Sequence, residues 1–254
     1  MLKRLIIIGL CAMAFMACGK EQLDPTNPES IRRHFARMEP PVQVNIDQFV
    51  ALALKGDTAN MTLFLRASNN DYLNQQNARG NTALATVVNR RNEVVVKYLL
   101  DRDAEIGIKS SQLGLTALED AATREDTTDY GVFRMLVEAQ KRKDPELRSI
   151  GASLHLASRF GALRNVQLLV ENGANPNAKS LEGLTPLHEA SKEGRRLVVE
   201  YLISKKVEIN PLDRDGYTPM DWSAALGEGS TFPEVTRVLR RAGGRHTDAW
   251  RRAM

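Results

Sequence analysis

His155 and His188, 33 residues apart, are the first candidates for chemistry in this chain. Imidazole ligates zinc and moves protons near neutral pH. His188-Glu189 opens like the zinc-hydrolase pattern H-E-x-x-H, but Lys192 stands where the second histidine belongs. A closed zinc site takes about four protein ligands, and the sequence places no third ligand beside the two histidines. Asp213 and Asp215 lie in the turn-like stretch Asp213-Arg214-Asp215-Gly216, where aspartate forms a turn before it acts as an acid or base. Gly183, Thr185 and His188 bring a glycine, a hydroxyl and an imidazole close together, yet the chain has no G-x-S-x-G elbow and no G-x-x-x-x-G-K-[ST] phosphate loop. Cys11 and Cys18 are the only cysteines, so residues beyond them hold no disulfide framework and no Cys-ligated metal. The expectation is a protein with no catalysis, no metal and no cofactor.

The histidines recur because the elements around them recur. Gly183-Leu184-Thr185-Pro186-Leu187-His188 is followed 33 residues on by Gly216-Tyr217-Thr218-Pro219-Met220. Gly114-Leu115-Thr116-Ala117-Leu118 and Gly80-Asn81-Thr82-Ala83-Leu84 precede it. A period in the low thirties marks a repeat array. Each residue type has a reason. Gly183 permits the positive φ of a tight turn. Thr185 caps a helix, and Pro186 suits its first position, where no N–H is needed. Leu187 and Ala190 begin an inner apolar stripe, and Gly194 ends that helix. Val198, Val199, Leu202 and Ile203 give the stripe of an outer helix. The motif is a frame, and function belongs to the side chains it holds outward.

Residues 183–190 (GLTPLHEA), Gly194 and the run 197–203 resemble the ankyrin repeat. So do Leu154-His155-Leu156-Ala157, Gly161, Val166, Leu168-Leu169 and the run 172–178 (NGANPNA). The resemblance spans about residues 47–245. It implies an all-α repeat solenoid of about six helix-turn-helix units with short β-hairpin fingers. The units fall at about 47–77, 78–110, 111–146, 147–179, 180–212 and 213–246, within a domain at 45–246 followed by a C-terminal tail at 247–254. The first unit lacks the finger motif but keeps a helix pair, 49–54 and 59–65, around Gly56-Asp57. The last carries Trp222 in its inner helix and an insertion at 227–233. Residues 123–149 stretch the period, and Ala152 then replaces the capping threonine. That stretch reads as a tolerated surface insertion, with a loop protruding toward a partner as the alternative. The resemblance also makes His155 and His188 structural, bonding between neighbouring turns.

In this family the partner surface is usually the concave side, made of finger tips and inner-helix residues. Here those positions include Arg79, Arg90, Leu115, Arg124, Arg148, Arg159, Phe160, Leu181, Glu182, Leu184, Lys192, Glu193, Arg214, Asp215 and Tyr217. Seven are basic and three acidic (Glu182, Glu193, Asp215). Leu115, Phe160, Leu184 and Tyr217 add apolar anchors, and Arg and aromatic residues tend to dominate interface energetics. The expected partner is a protein with an acidic surface, bound by a monomer. Arg124 and Arg159 are expected to be replaceable by Glu with binding lost and melting temperature nearly unchanged.

Hydrophobic residues make up 43% of the 254 residues and charged residues 26%, the balance of a folded soluble chain. A net charge of +4 without an aromatic-rich or Gly-rich binding element does not point to nucleic acid. Arg237, Arg240, Arg241, Arg245, Arg251 and Arg252 read as a solvated or dipole-matched helix end, with an anionic membrane surface as the alternative.

Lys3 and Arg4 precede a 13-residue apolar run, 5–17. Spanning a bilayer takes roughly 20 residues, so the run reads as a secretory signal. Phe15-Met16-Ala17-Cys18 resembles the bacterial lipobox, with Phe15 in place of the usual Leu. Leu10 before Cys11 is too large for that cleavage pocket. The resemblance implies a signal peptide at 1–17, a lipidated Cys18 and a tether at 18–44. Gly19 rather than Asp after Cys18 implies an outer-membrane protein facing the periplasm. Pro25, Pro28, Pro40 and Pro41 punctuate the tether, with a short helix expected at 29–38. Periplasmic lipoproteins of this type are similar to immunity proteins that neutralise lipase effectors of type VI secretion, which makes a secreted lipase one expected partner.

Overall fold

The computed structural model describes residues 42–68, 70–124, 130–144, 148–224 and 232–253. Cys18, the tether up to residue 41 and its expected helix lie outside these residues, as do 125–128 and most of the 227–233 insertion, while residues 42–44, expected as tether, are helical. Among the described residues the helices form six pairs: α1 Val42–Lys55 with α2 Thr58–Ala67, α3 Ala83–Asn89 with α4 Glu93–Leu100, α5 Ala117–Ala122 with α6 Tyr130–Lys143, α7 Arg148–Phe160 with α8 Leu163–Glu171, α9 Pro186–Lys192 with α10 Arg196–Ser204, and α11 Pro219–Ser223 with α12 Pro233–Arg241. A last helix, α13, spans Asp248–Ala253, so the expected tail is helical.

The odd-numbered helices α1 to α11 pack in one continuous row, and α4 to α12 pack in a second row behind them. Between the rows runs a single apolar core from Ile46 to Leu239, made of the stripes Leu84, Val87 and Val88 in α3, Val166 and Leu169 in α8, and Val198, Val199 and Leu202 in α10. Each pair buries its apolar side only against its neighbours, as in other solenoids.

Local sequence sets the helix starts. Thr82, Thr116, Thr185 and Thr218 are extended N-caps whose hydroxyls accept from the backbone N–H three residues on. Glu119, His188 and Asp221 return the bond to the cap backbone. Pro186 and Pro219 occupy the first helical turn. α7 departs from this scheme. It starts at Arg148, so Ala152 lies inside the helix instead of at its cap, and a longer helix of 13 residues replaces the finger.

The fingers are tight turns, and no strand occurs among the described residues. Each of four turns is spanned by a single bond between its flanks, Asn77 N–H to the Asn81 carbonyl (3.0 Å), Ser110 to Leu115 (2.9 Å), Ser180 to Leu184 (2.8 Å) and Asp213 to Tyr217 (3.1 Å), with the glycine N–H returning to the first residue's carbonyl inside it. The expected β-hairpins are therefore too short to form ladders. Neighbouring fingers stack through Ser111 N–H to the Gly80 carbonyl (3.2 Å) and Arg214 N–H to the Glu182 carbonyl (3.1 Å). Gly183 is required twice. Its φ is +78°, and a Cβ there would sit 2.9 Å from the Arg214 backbone nitrogen.

His188 joins two repeats. Its Nδ1 accepts from the Thr185 backbone N–H at 3.0 Å, which leaves Nε2–H to donate to the Tyr217 carbonyl at 3.1 Å. His155 bonds the Ala178 backbone, but its Nδ1 is buried without a partner, because Ala152 supplies no cap hydroxyl. Asn165 is buried on α8 and donates to the carbonyls of Ala121, Ala122 and Arg124, closing the C-terminal end of α5.

Burial pushes the pKa of both His155 and His188 below 6.5. The unfolded chain therefore takes up protons that the folded chain refuses once pH falls below about 6.5. The stability these neutral histidines contribute is complete above that pH and is lost below it. Thermal melts from about pH 7.5 to about pH 5 should show a falling Tm, and His188→Gln should lower Tm at the upper pH while flattening the slope. A second test concerns Lys206, which takes φ +58° at a helix end where Gly173 and Gly243 take +100° and +92°. Lys206→Gly should stabilise the fold by about 0.5–1 kcal/mol, read as a higher denaturation midpoint.

Candidate functional site

Large exposed apolar side chains stand on the face made by the fingers and the inner helices, besides Val94 and Leu197 on the outer helices. Leu113 and Leu181 stand at finger tips with 67% and 85% of their surface exposed, and Phe160 at the end of α7 keeps 45%. Along the same face the ends of α7, α9 and α11 meet. Arg159 pairs with Glu193 at 3.5 Å across two repeats. The Lys192 ammonium sits 4.5 Å from the centre of the Trp222 ring, and Tyr217 meets that ring edge-on at 6.3 Å. Trp222 in turn donates its indole N–H to Asp213 at 2.8 Å.

Asp213 is fully occupied as a turn former. Its other oxygen accepts from the backbone N–H groups of Asp215 (3.0 Å) and Tyr217 (2.9 Å). Glu189 lies on the same face near Arg159, Lys192, Glu182 and Glu193. Burial raises its pKa, with the two cations acting in the opposite direction. Among the described residues no three His, Cys, Asp or Glu side chains are grouped to hold a metal.

The positions read from the sequence divide into three groups. Arg79, Arg90 and Arg214 are exposed, as are Glu182 and Asp215. At the ends of α7, α9 and α11, Arg159 pairs with Glu193, and Lys192 and Tyr217 meet the Trp222 ring, while Phe160 beside Arg159 is exposed. Leu184 and Arg124 depart from expectation. Leu184 is 5% exposed, because the residue after the finger glycine turns inward while Leu181 points out. Arg124 is half-buried and bonds Asp120 at 2.7 Å, Asn89, and the Val88 carbonyl at 3.5 Å. It clamps α5 to α3, so its replacement would cost stability, contrary to the expected unchanged Tm. Leu115 is half-buried, its carbonyl spent on closing its finger. The Arg148 side chain lies outside the described residues.

Leu113, Glu189 and Trp222 belong to the face but escape the repeat-by-repeat reading. Leu113 lies in a finger one residue longer than the others, between Ser110 and Leu115, which shifts its alignment. The spacing of 34 between Gly80 and Gly114, against 33 between Gly183 and Gly216, is the signal that could have found it.

Residues 49–148 and 154–245 match the family described as ankyrin repeats (3 copies). Rabankyrin-5 of Mus musculus is 40% identical over 77 residues, 30% of this chain and 7% of that protein. Alpha-latrotoxin-Lh1a of Latrodectus hasselti is 32% identical over 117 residues, 45% of this chain and 9% of the toxin. The chain thus spans under a tenth of the length of these relatives. Among solved structures, an ankyrin repeat domain from Acinetobacter baumannii AYE superposes with a TM-score of 0.60 at 22% identity, covering 78% of this chain and 98% of that domain. The human ASB11 ankyrin repeat domain gives 0.57 at 17% identity, covering 78% and 84%. The matched residues, the capped inner helices and the stacked finger turns agree, and the chain belongs to the ankyrin-repeat family.

Proposed function

We propose that this protein is a lipid-anchored, periplasm-facing binding scaffold that captures a protein partner on its finger and inner-helix face and performs no chemistry. Ankyrin repeats generally mediate protein–protein interaction and are typically non-catalytic. The observation that carries the reading is the exposed apolar series Leu113, Phe160 and Leu181 beside the Lys192–Trp222–Tyr217 cluster. Anchors of this kind, rimmed by polar groups, concentrate binding energy. The outward guanidiniums of Arg79, Arg90 and Arg214 favour an acidic partner, mainly by speeding encounter and rejecting wrong partners.

The lipid anchor rests on Cys18 and its preceding apolar run. One acyl chain holds a protein marginally, and two or more hold it stably.

Two experiments test this reading. Affinity capture from envelope extracts should recover a partner with the full-length protein. Phe160→Asp combined with Leu181→Asp should reduce that recovery by about tenfold or more, because exposed anchors near an interface centre each contribute on the order of 1–2 kcal/mol. The melting temperature should hold, since both side chains face solvent. Undiminished capture would remove the face assignment. A secreted lipase among the recovered proteins would assign an immunity role. Separately, Cys18→Ala should release the protein from the membrane fraction, and persistent sedimentation with membranes would sink the anchor.

A further inference from the structure

Residues 232–253 carry six arginines against Glu234 and Asp248. This local net charge of +4 equals that of the whole chain, so the remaining residues balance to zero. An excess of positive charge equal to that of the whole chain is therefore concentrated at one end of the array.

The arginines are displayed on a held backbone. In α12, Val235 and Leu239 are buried, while Arg237, Arg240 and Arg241 form the exposed stripe at i, i+3 and i+4. Beyond it, the Arg245 backbone N–H donates to Asn210 Oδ1 at 2.8 Å, and its carbonyl accepts from Thr218 Oγ1 at 2.9 Å. The fully buried Asp221 binds His246 Nδ1 at 2.8 Å and the Thr247 hydroxyl at 2.9 Å. His246 stacks on Trp250 at 3.8 Å, which fixes α13 and its exposed Arg251 and Arg252. Arg237 pairs with Glu234 and Arg251 with Asp248 between exposed side chains. Such pairs dissociate readily in water. Arg240, Arg241 and Arg245 have no carboxylate partner among the described residues.

We propose that this end of the array docks on an anionic phospholipid surface. All six cations are arginines, whose planar fork matches phosphate oxygens in pairs. Half-buried Trp250, stacked on His246 with its indole nitrogen buried, holds the neighbouring Arg251 and Arg252 in place at this end. Nucleic-acid binders instead interleave several stacking aromatics with the basic groove, and no such series accompanies these arginines. Docking here would leave the finger and inner-helix face open to its partner. It does not depend on the anchor at Cys18.

Vesicle co-sedimentation of the full-length protein tests the docking. Neutral phosphatidylcholine vesicles are compared with vesicles containing about 30% phosphatidylglycerol, where surface potential attracts cations. The apolar run 5–17, where retained, partitions into both, so the readout is the increment due to phosphatidylglycerol. At low salt the increment should be about tenfold or more, and about 0.5 M salt should abolish it. Arg240→Gln, Arg241→Gln and Arg245→Gln together should remove it with an unchanged melting curve. Cys18→Ala should leave it intact, so docking and anchoring fail separately. Equal binding to neutral vesicles, an increment that survives the triple substitution, or displacement by duplex DNA at equal phosphate concentration would each overturn the assignment.

Discussion

The described array depends on the stacking of inner helices, several of which are too short to stand alone. α5 has six residues, α9 seven and α11 five. Isolated helices of this length are not stable in water, because nucleation is costly and few bonds propagate. Their stability comes from the two neighbours that cover each apolar side. The same stacking satisfies the polar ends of the helices. His188 reaches the Tyr217 carbonyl, Arg195 the Arg159 carbonyl, Asn165 the end of α5, and Lys143 the carbonyls of Asp103 and Ala104. A buried carbonyl without such a partner would cost about 1–3 kcal/mol, so these contacts constrain the spacing of repeats.

That constraint sorts polar residues by role. A side chain that closes a neighbouring helix end is committed to the frame, whatever its charge. Arg124 and Arg195 are cations of this kind. Arg159 and Lys192 are partly committed, held against Glu193 and the Trp222 ring on an otherwise accessible face. Among the charges left over are those at finger tips and on α12, where no following repeat demands them. Recognition is left to side chains that stacking does not use.

The fourth repeat shows what happens when one element of the scheme is lost. Without a capping threonine and finger glycine, α7 extends back to Arg148. The finger row is then interrupted. One stacked pair links Gly80 to Ser111, and another links Glu182 to Arg214. Leu113 and Leu181 belong to the two pairs, on either side of the interruption. The continuous inner row, α5 to α7 to α9, carries the array across it.

The sequence by itself determined the repeat, its period, and the local devices that make each helix begin and end. Thr185, Pro186, Gly183 and His188 act within a few residues of themselves, so their types and spacing expose their roles. The period also aligns Arg159 with Lys192 at successive helix ends, but their pairing with Glu193 and the Trp222 ring is visible only in the structure. Other assignments needed the tertiary structure. Leu184 reads as a finger residue, but the turn sends it into the core. Arg124 reads as an exposed helix end, and only stacking brings Asn89 and the Val88 carbonyl to it from 35 and 36 residues away. Local propensity acts along the chain, whereas burial and pairing are settled by what the neighbouring repeat places opposite.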